Sequence, residues 1–169
     1  MSKYTEHLDQ YKLLHSQCEY GKSSEKLYEN ILPLVKEINP ISILDYGCGN
    51  SKLIDMLPAK EKCRYDPAIP QYEICSRGSF DLILCTDVLE HIPEKYIDNI
   101  LKHLFDLSNK VIFSIALKQA TICLPNGENA HCTLKPIEWW LQKIENIFDQ
   151  VMFVENIRDV KFIVKTWNK

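Results

Sequence analysis

The chain has 169 residues, 46% of them hydrophobic, and a formal net charge of −3. That length is enough for one buried core and predicts a single domain. The mild acidity gives no general attraction to phosphate backbones, which argues against a duplex-binding protein on bulk electrostatics while leaving room for a local basic groove, and no apolar run is long enough to cross a bilayer.

The N-terminus carries no apolar signal core, so the expected setting is cytoplasmic. The seven cysteines are odd in number and none pairs at C-x-x-C spacing, the pattern of reduced thiols and not of a disulfide frame or zinc cage. Leu8, Tyr11, Leu14 and Cys18 recur at helical spacing and predict a first helix, with His15 beside its apolar stripe. The stretch Tyr20-Gly21-Lys22-Ser23-Ser24 breaks it. Ser23 or Ser24 is then an N-cap candidate for a second helix through Leu27, Ile31, Leu34 and Ile38, kinked or restarted at Pro33 and ended by Asn39-Pro40. Residues 1–40 thus form a helical segment that either folds over the mouth of the core as a lid or simply packs on it.

The core begins with the apolar run Ile43-Leu44-Asp45-Tyr46, followed by Gly47-Cys48-Gly49-Asn50-Ser51. A buried strand, a glycine turn and a helix from Ser51 to Leu57 form a geometry in which a ligand can approach backbone N–H groups. Lys62 to Asp66 is the second strand. Asp66 follows the turn by about 20 residues, the interval at which an acid meets ribose hydroxyls in open α/β sheets. Only Pro67 to Ser79 precede the next strand, so the third β/α unit is shortened, with Ile74-Cys75 as the expected remnant of its strand. Phe80 to Thr86 is a clear strand ending in Asp87-Val88-Leu89-Glu90-His91-Ile92-Pro93, and a helix follows with Ile97, Ile100, Leu101 and Leu104 on one face. Lys110 to Ile115 is a strand, Ala116 to Thr133 a long loop, Pro136 opens a helix through Trp139 and Trp140, and Val151–Val154 with Val160–Trp167 make a closing hairpin. The predicted fold is α/β: a Rossmann-like open sheet, mostly parallel, with a C-terminal antiparallel hairpin and helices on both faces.

A dinucleotide fingerprint G-x-G-x-x-G fails at Lys52, and it does not call for an acid two residues before its first glycine. The turn instead resembles the acid-x-G-x-G-x-G motif of class I S-adenosylmethionine (SAM)-dependent methyltransferases through Asp45, Gly47 and Gly49, with Ser51 at the third glycine. The resemblance extends through Asp66, the Phe80 to His91 block and the terminal hairpin, and makes residues 41–169 a SAM-binding methyltransferase domain. It implies cofactor contacts from Asp45, Gly47, Cys48, Gly49, Asp66 and Pro67, and from Cys85, Thr86 and Asp87 on the methionyl side. Asp45 would hold the ammonium and Asp66 the ribose hydroxyls. On their own chemistry, Cys48 and Cys85 read as small core fillers and not nucleophiles, and Asp81 as a strand-start residue.

Asp87-x-x-Glu90-His91 is also similar to the E-x-x-E-H element of ubiquinone-pathway O-methyltransferases and small-RNA 2′-O-methyltransferases, where such groups hold a divalent metal. The RNA enzymes add a later histidine, and His131 occupies a comparable place. A metal here would take Asp87, Glu90, His91 and His131. The reading preferred over it makes His91 a polar pocket residue or general base, and His131, in a loop expected to face the acceptor, a catalytic base. His7, His15 and His103 belong to no constellation and read as surface residues. The expected activity is methyl transfer to an oxygen or nitrogen of a small-molecule acceptor such as a sugar. The alternatives are a metal-assisted RNA 2′-O-methyltransferase and a non-catalytic SAM-binding partner module.

Overall fold

The computed structural model describes residues 3–17, 21–75 and 78–168. Cys18 and Tyr20 lie outside them, so the last position of the first helical stripe is not among the contacts below. Six strands form one sheet in the order β2-β1-β3-β4-β6-β5. β1 (Ser42–Tyr46), β2 (Glu61–Tyr65), β3 (Leu82–Thr86) and β4 (Val111–Ala116) run parallel, while β5 (Met152–Ile157) and β6 (Lys161–Lys165) close the sheet as an antiparallel hairpin against β4.

The central strands β1, β3 and β4 are buried along their whole length, as expected of parallel strands covered on both faces. The two-residue alternation of a strand divides their side chains between two cores. On one face Leu44, Ile83 and Phe113 pack against α4 (Ile97–Leu107) and α5 (Ile137–Glu145). On the other, Ile43, Leu82 and Ile112 pack against α2 (Tyr28–Ile38) and the single turn α3 (Leu53–Met56). α1 (Lys3–Gln17) joins neither core; Tyr11 and Leu14 pack with Ala68, Leu124 and Ala130 in a separate small cluster. Asp81 ties the strand starts together, its Oδ2 accepting from the N–H of Ile41 and Ser42 at 2.9 Å each.

Three local expectations are corrected. Ile74-Cys75 forms no strand: between β2 and β3 the described residues hold only a 3-10 turn, Pro70–Tyr72, and β2 is left as the sheet edge. A crossover helix and strand need more chain than that link supplies, and Pro67 and Pro70 interrupt it. Ser23 and Ser24 do not cap a helix. They open a 3-10 turn, Ser23–Leu27, and their hydroxyls bond to Asp87 and Ser51 instead. The helix after the glycine turn shrinks to α3, and its first N–H groups already have partners, Glu25 Oε1 for Lys52 and Ser51 Oγ for Leu53.

Candidate active site

The carboxyl ends of β1, β2 and β3 meet at a cavity of about 400 Å³. Its floor is Gly47 and Gly49 after β1, Asp66-Pro67-Ala68 after β2, and Asp87, Val88, His91 and Ile92 after β3. Its roof comes from the N-terminal segment: His7, Leu8, Tyr11 and His15 of α1, then Gly21, Lys22, Ser23 and Lys26.

The glycine turn serves close approach, not N–H donation. Gly47 and Cys48 donate to Tyr65 O at 2.7 and 3.1 Å, and Gly49 donates to Asp66 Oδ2 at 2.9 Å. The expectation that a ligand meets free N–H groups here is therefore corrected. What the glycines supply is space and a left-handed backbone: at Gly47 (φ 71°) a Cβ would stand 2.6 Å from Val88 Cγ2, and at Gly49 (φ 51°) 2.9 Å from Gly21 O. Gly21, outside the motif, packs onto Gly49, a contact that no local pattern announces.

Asp66 accepts from the N–H of Gly49 and Ala68, one bond per oxygen, and an ionised carboxylate has about four lone-pair sites, so acceptor capacity remains on the cavity side. Asp45 is 2% exposed and stands behind the floor, outside the cavity lining. Burial pushes its carboxyl up to about 7, with Arg64 pulling the other way and Asp66 adding to the rise. Its Oδ2 has no hydrogen-bond partner among the described residues. Cys48, Cys85 and Thr86 are also buried behind the lining, and burial raises both thiols, which makes them fillers and not nucleophiles. Pro67 lines the cavity, as does Asp87.

The acceptor end centres on His91. Its Nδ1 lies 2.9 Å from Ala130 O, so the proton sits on Nδ1 and Nε2 carries the lone pair. Tyr11 Oη donates to the same carbonyl at 2.6 Å, and His7 Nε2 donates to His91 O at 2.7 Å. Burial, with His131 beside it, lowers the His91 pKa to about 4, and the ring is neutral at pH 7. His131 meets His91 edge to face with centroids 4.7 Å apart, and its own Nδ1 donates to Lys118 O. The loop before it is shaped by Asn129, whose side chain bonds both main-chain groups of Ala120. Glu90 is fully buried: Oε1 accepts from Ala116 N at 2.8 Å, Oε2 has no partner among the described residues, and burial raises its carboxyl to about 8.

One ligand atom from each of Glu90, His91 and His131 lies within 4.8 Å of the others. Asp87, the fourth member expected of a metal set, stands apart with its carboxylate held by Lys161, Ser23 and Ser114. His7 and His15 are not idle surface residues, since both line the cavity, and His103 bonds Tyr46 Oη at 3.0 Å. The contacts of His7, His15 and His103 span 84, 35 and 57 residues of chain, with no signal in local spacing.

Residues 19–161 match the family described as a methyltransferase domain. No curated protein matches the chain in sequence. The fold is similar to that of the Burkholderia thailandensis 1,6-didemethyltoxoflavin-N1-methyltransferase with bound 1,6-didemethyltoxoflavin and S-adenosylhomocysteine (SAH) (TM-score 0.66, 11% identity, 98% of this chain and 89% of that one). It is also similar to N-methyltransferase NodS from Bradyrhizobium japonicum in complex with SAH (TM-score 0.52, 12% identity, 81% and 84%). A third similar structure is the methyltransferase domain of bacterial CtHen1-CN (TM-score 0.57, 18% identity, 85% and 98%). At these identities the likeness is one of fold.

Proposed function

This chain belongs to the methyltransferase-domain family, and from that premise we propose that it is a SAM-dependent enzyme that methylates an oxygen or nitrogen of a small-molecule acceptor such as a sugar. The observation that carries the reading is the cavity where three strand ends meet, floored by Gly47, Gly49 and Asp66 and continuous with His91. The residues fit the cofactor: Asp66 keeps lone pairs for ribose hydroxyls, and Asp45 Oδ2, behind the floor and without a hydrogen-bond partner among the described residues, suits an ammonium reached through water. Cys48, Cys85 and Thr86 shape the wall from behind. The cofactor supplies an activated methyl group, and the protein supplies alignment and exclusion of water.

α1 and the turn from Gly21 to Lys26 act as the lid over the cavity, while α2 belongs to the core under the sheet. His91 is too weak a base at pH 7 to keep a proton taken from the acceptor, so it orients the acceptor through Nε2. His131, with Nδ1 occupied, offers Nε2 as the proton acceptor. The expected location is the cytoplasm. No helix among the described residues is long and apolar enough to cross a membrane. Calorimetry with SAH, followed by transfer of labelled methyl groups into a metabolite pool, tests the proposal. No heat with SAH and a clean isotherm with a nicotinamide dinucleotide would overturn it.

A second reading rests on the Glu90, His91 and His131 cluster. Two imidazoles whose Nδ1–H groups are held by main-chain carbonyls, beside a buried carboxylate oxygen without a partner, form a donor set suited to a divalent cation. With a metal there, adjacent hydroxyls such as those at an RNA 3′ end become the acceptor class. Methylation of a short RNA that requires added Mn²⁺ or Mg²⁺, with RNA binding that falls steeply with salt, would favour it over the small-molecule reading.

A further inference from the structure

We propose that Lys161, on the hairpin at the far end of the chain, is a positioning residue that fixes the cavity wall and latches the lid through Asp87. The inference rests on the reading of the cavity as a SAM site. Asp87 has a left-handed backbone (φ 58°), uncommon for a residue with a Cβ, and it turns the chain from β3 into the segment bearing Glu90 and His91. Its carboxylate accepts four hydrogen bonds. Lys161 Nζ donates to Oδ1 at 2.7 Å and to Oδ2 at 2.6 Å, Ser114 Oγ to Oδ1 at 3.0 Å, and Ser23 Oγ to Oδ2 at 2.6 Å. That fills the lone-pair sites of an ionised carboxylate, so Asp87 is committed to the protein and not to a cation or to the cofactor's ammonium.

The three donors come from the lid, β4 and β6. Lys161 pairs in register with Ala116, whose N–H holds Glu90 Oε1, so the hairpin grips both ends of the turn between Asp87 and Glu90. The ion pair is largely shielded, with side chains 17% and 10% exposed, so it is screened far less than a surface pair. Ser23 lines the cavity. Its bond to Asp87 is the link between this knot and the roof. Without the ammonium, Asp87 becomes an uncompensated carboxylate in the cavity wall, the left-handed turn loses its anchor, and Ser23 loses a fixed partner.

The full-length chain tests this. Lys161→Met keeps the stem and removes the charge. It is expected to weaken SAH binding by about tenfold, the size of one charge-assisted hydrogen bond, and to speed amide hydrogen exchange over residues 21–27 in the ligand-free protein. Lys161→Arg is expected to restore much of both. Ser23→Ala, a mild change should the methionine variant fold poorly, is expected to speed exchange over the same residues, and its loss combined with that of Lys161→Met should fall short of the sum. Parental exchange over 21–27 together with parental SAH affinity in Lys161→Met would overturn the inference. If the parent chain takes up no SAH, the cofactor reading fails, while the exchange measurement still decides whether Lys161 holds the lid.

Discussion

The floor of the cavity is tied by main-chain hydrogen bonds and buried carboxyl groups, whereas the roof rests on a small apolar cluster and a few side-chain hydrogen bonds. Gly47, Cys48 and Gly49 are bonded to the end of β2, and Asp45 and Glu90 are almost wholly excluded from water. α1 has Tyr11 and Leu14 in a cluster apart from the two main cores, with bonds from Tyr11 and His7 to the His91–Ala130 region. The difference separates two duties. Under the proposed function, the floor holds its shape whether or not a ligand is present, and the roof lets ligands pass.

The largest expected effect concerns the buried carboxyls of the floor. Burial raises Glu90 from 4.5 to about 8 and Asp45 from 3.8 to about 7. Between about pH 4 and these values the folded chain keeps protons that the unfolded chain has released. The contribution of these two groups to stability is therefore fully present below about pH 4 and is lost as pH rises through 7 and 8. Glu90→Gln removes its share of that slope and should be more stable than the parent at pH 8 by several kcal/mol, at about 1.4 kcal/mol for each unit of pKa. Urea melts from pH 4 to 9 in chelator-treated buffer check this; a parent that gains stability over that window breaks the account of the floor.

Next in size, Gly47→Ala should cost about 3 kcal/mol, because a Cβ would both meet Val88 and require a left-handed alanine. Asp66→Asn should weaken SAH binding by about tenfold through loss of a charged acceptor, read by calorimetry. The smallest stability effect is expected in the roof. Tyr11→Phe removes the bond to Ala130 O and should cost about 1 kcal/mol or less in a denaturant melt, yet lower kcat/KM several-fold. A Tyr11 variant that melts far earlier than the parent would make α1 part of the core and not a lid.

The floor was legible in the sequence because its information is local. The apolar run into Asp45-x-Gly47-x-Gly49, Asp66 at the end of the next strand, and the Asp81 to His91 block each sit at one strand tip, and parallel strands bring those tips together. The meeting of His91 with His131 was implied only by the resemblance to metal-holding methyltransferases, not by local spacing. The roles of Asp87, His7, Tyr11 and Lys161 were not legible. Asp87 is expected from the resemblance to be a cofactor or metal ligand, and spacing cannot show that Lys161, Ser114 and Ser23 donate to its carboxylate. His7 looked like a surface residue because its partner is 84 positions away.

The sequence alone determined the central strands and the helix after β3, the glycine turn and the acids at the strand ends, since these follow from hydrophobic periodicity and from which residues tolerate a tight turn. It did not determine the link between β2 and β3. Only the tertiary structure decided which polar atoms remained unpaired. Hydrogen-bond partners at Asp87, Gly49 and His91 come from distant parts of the chain, and a carboxylate or imidazole is free for chemistry only after the fold has used what it needs.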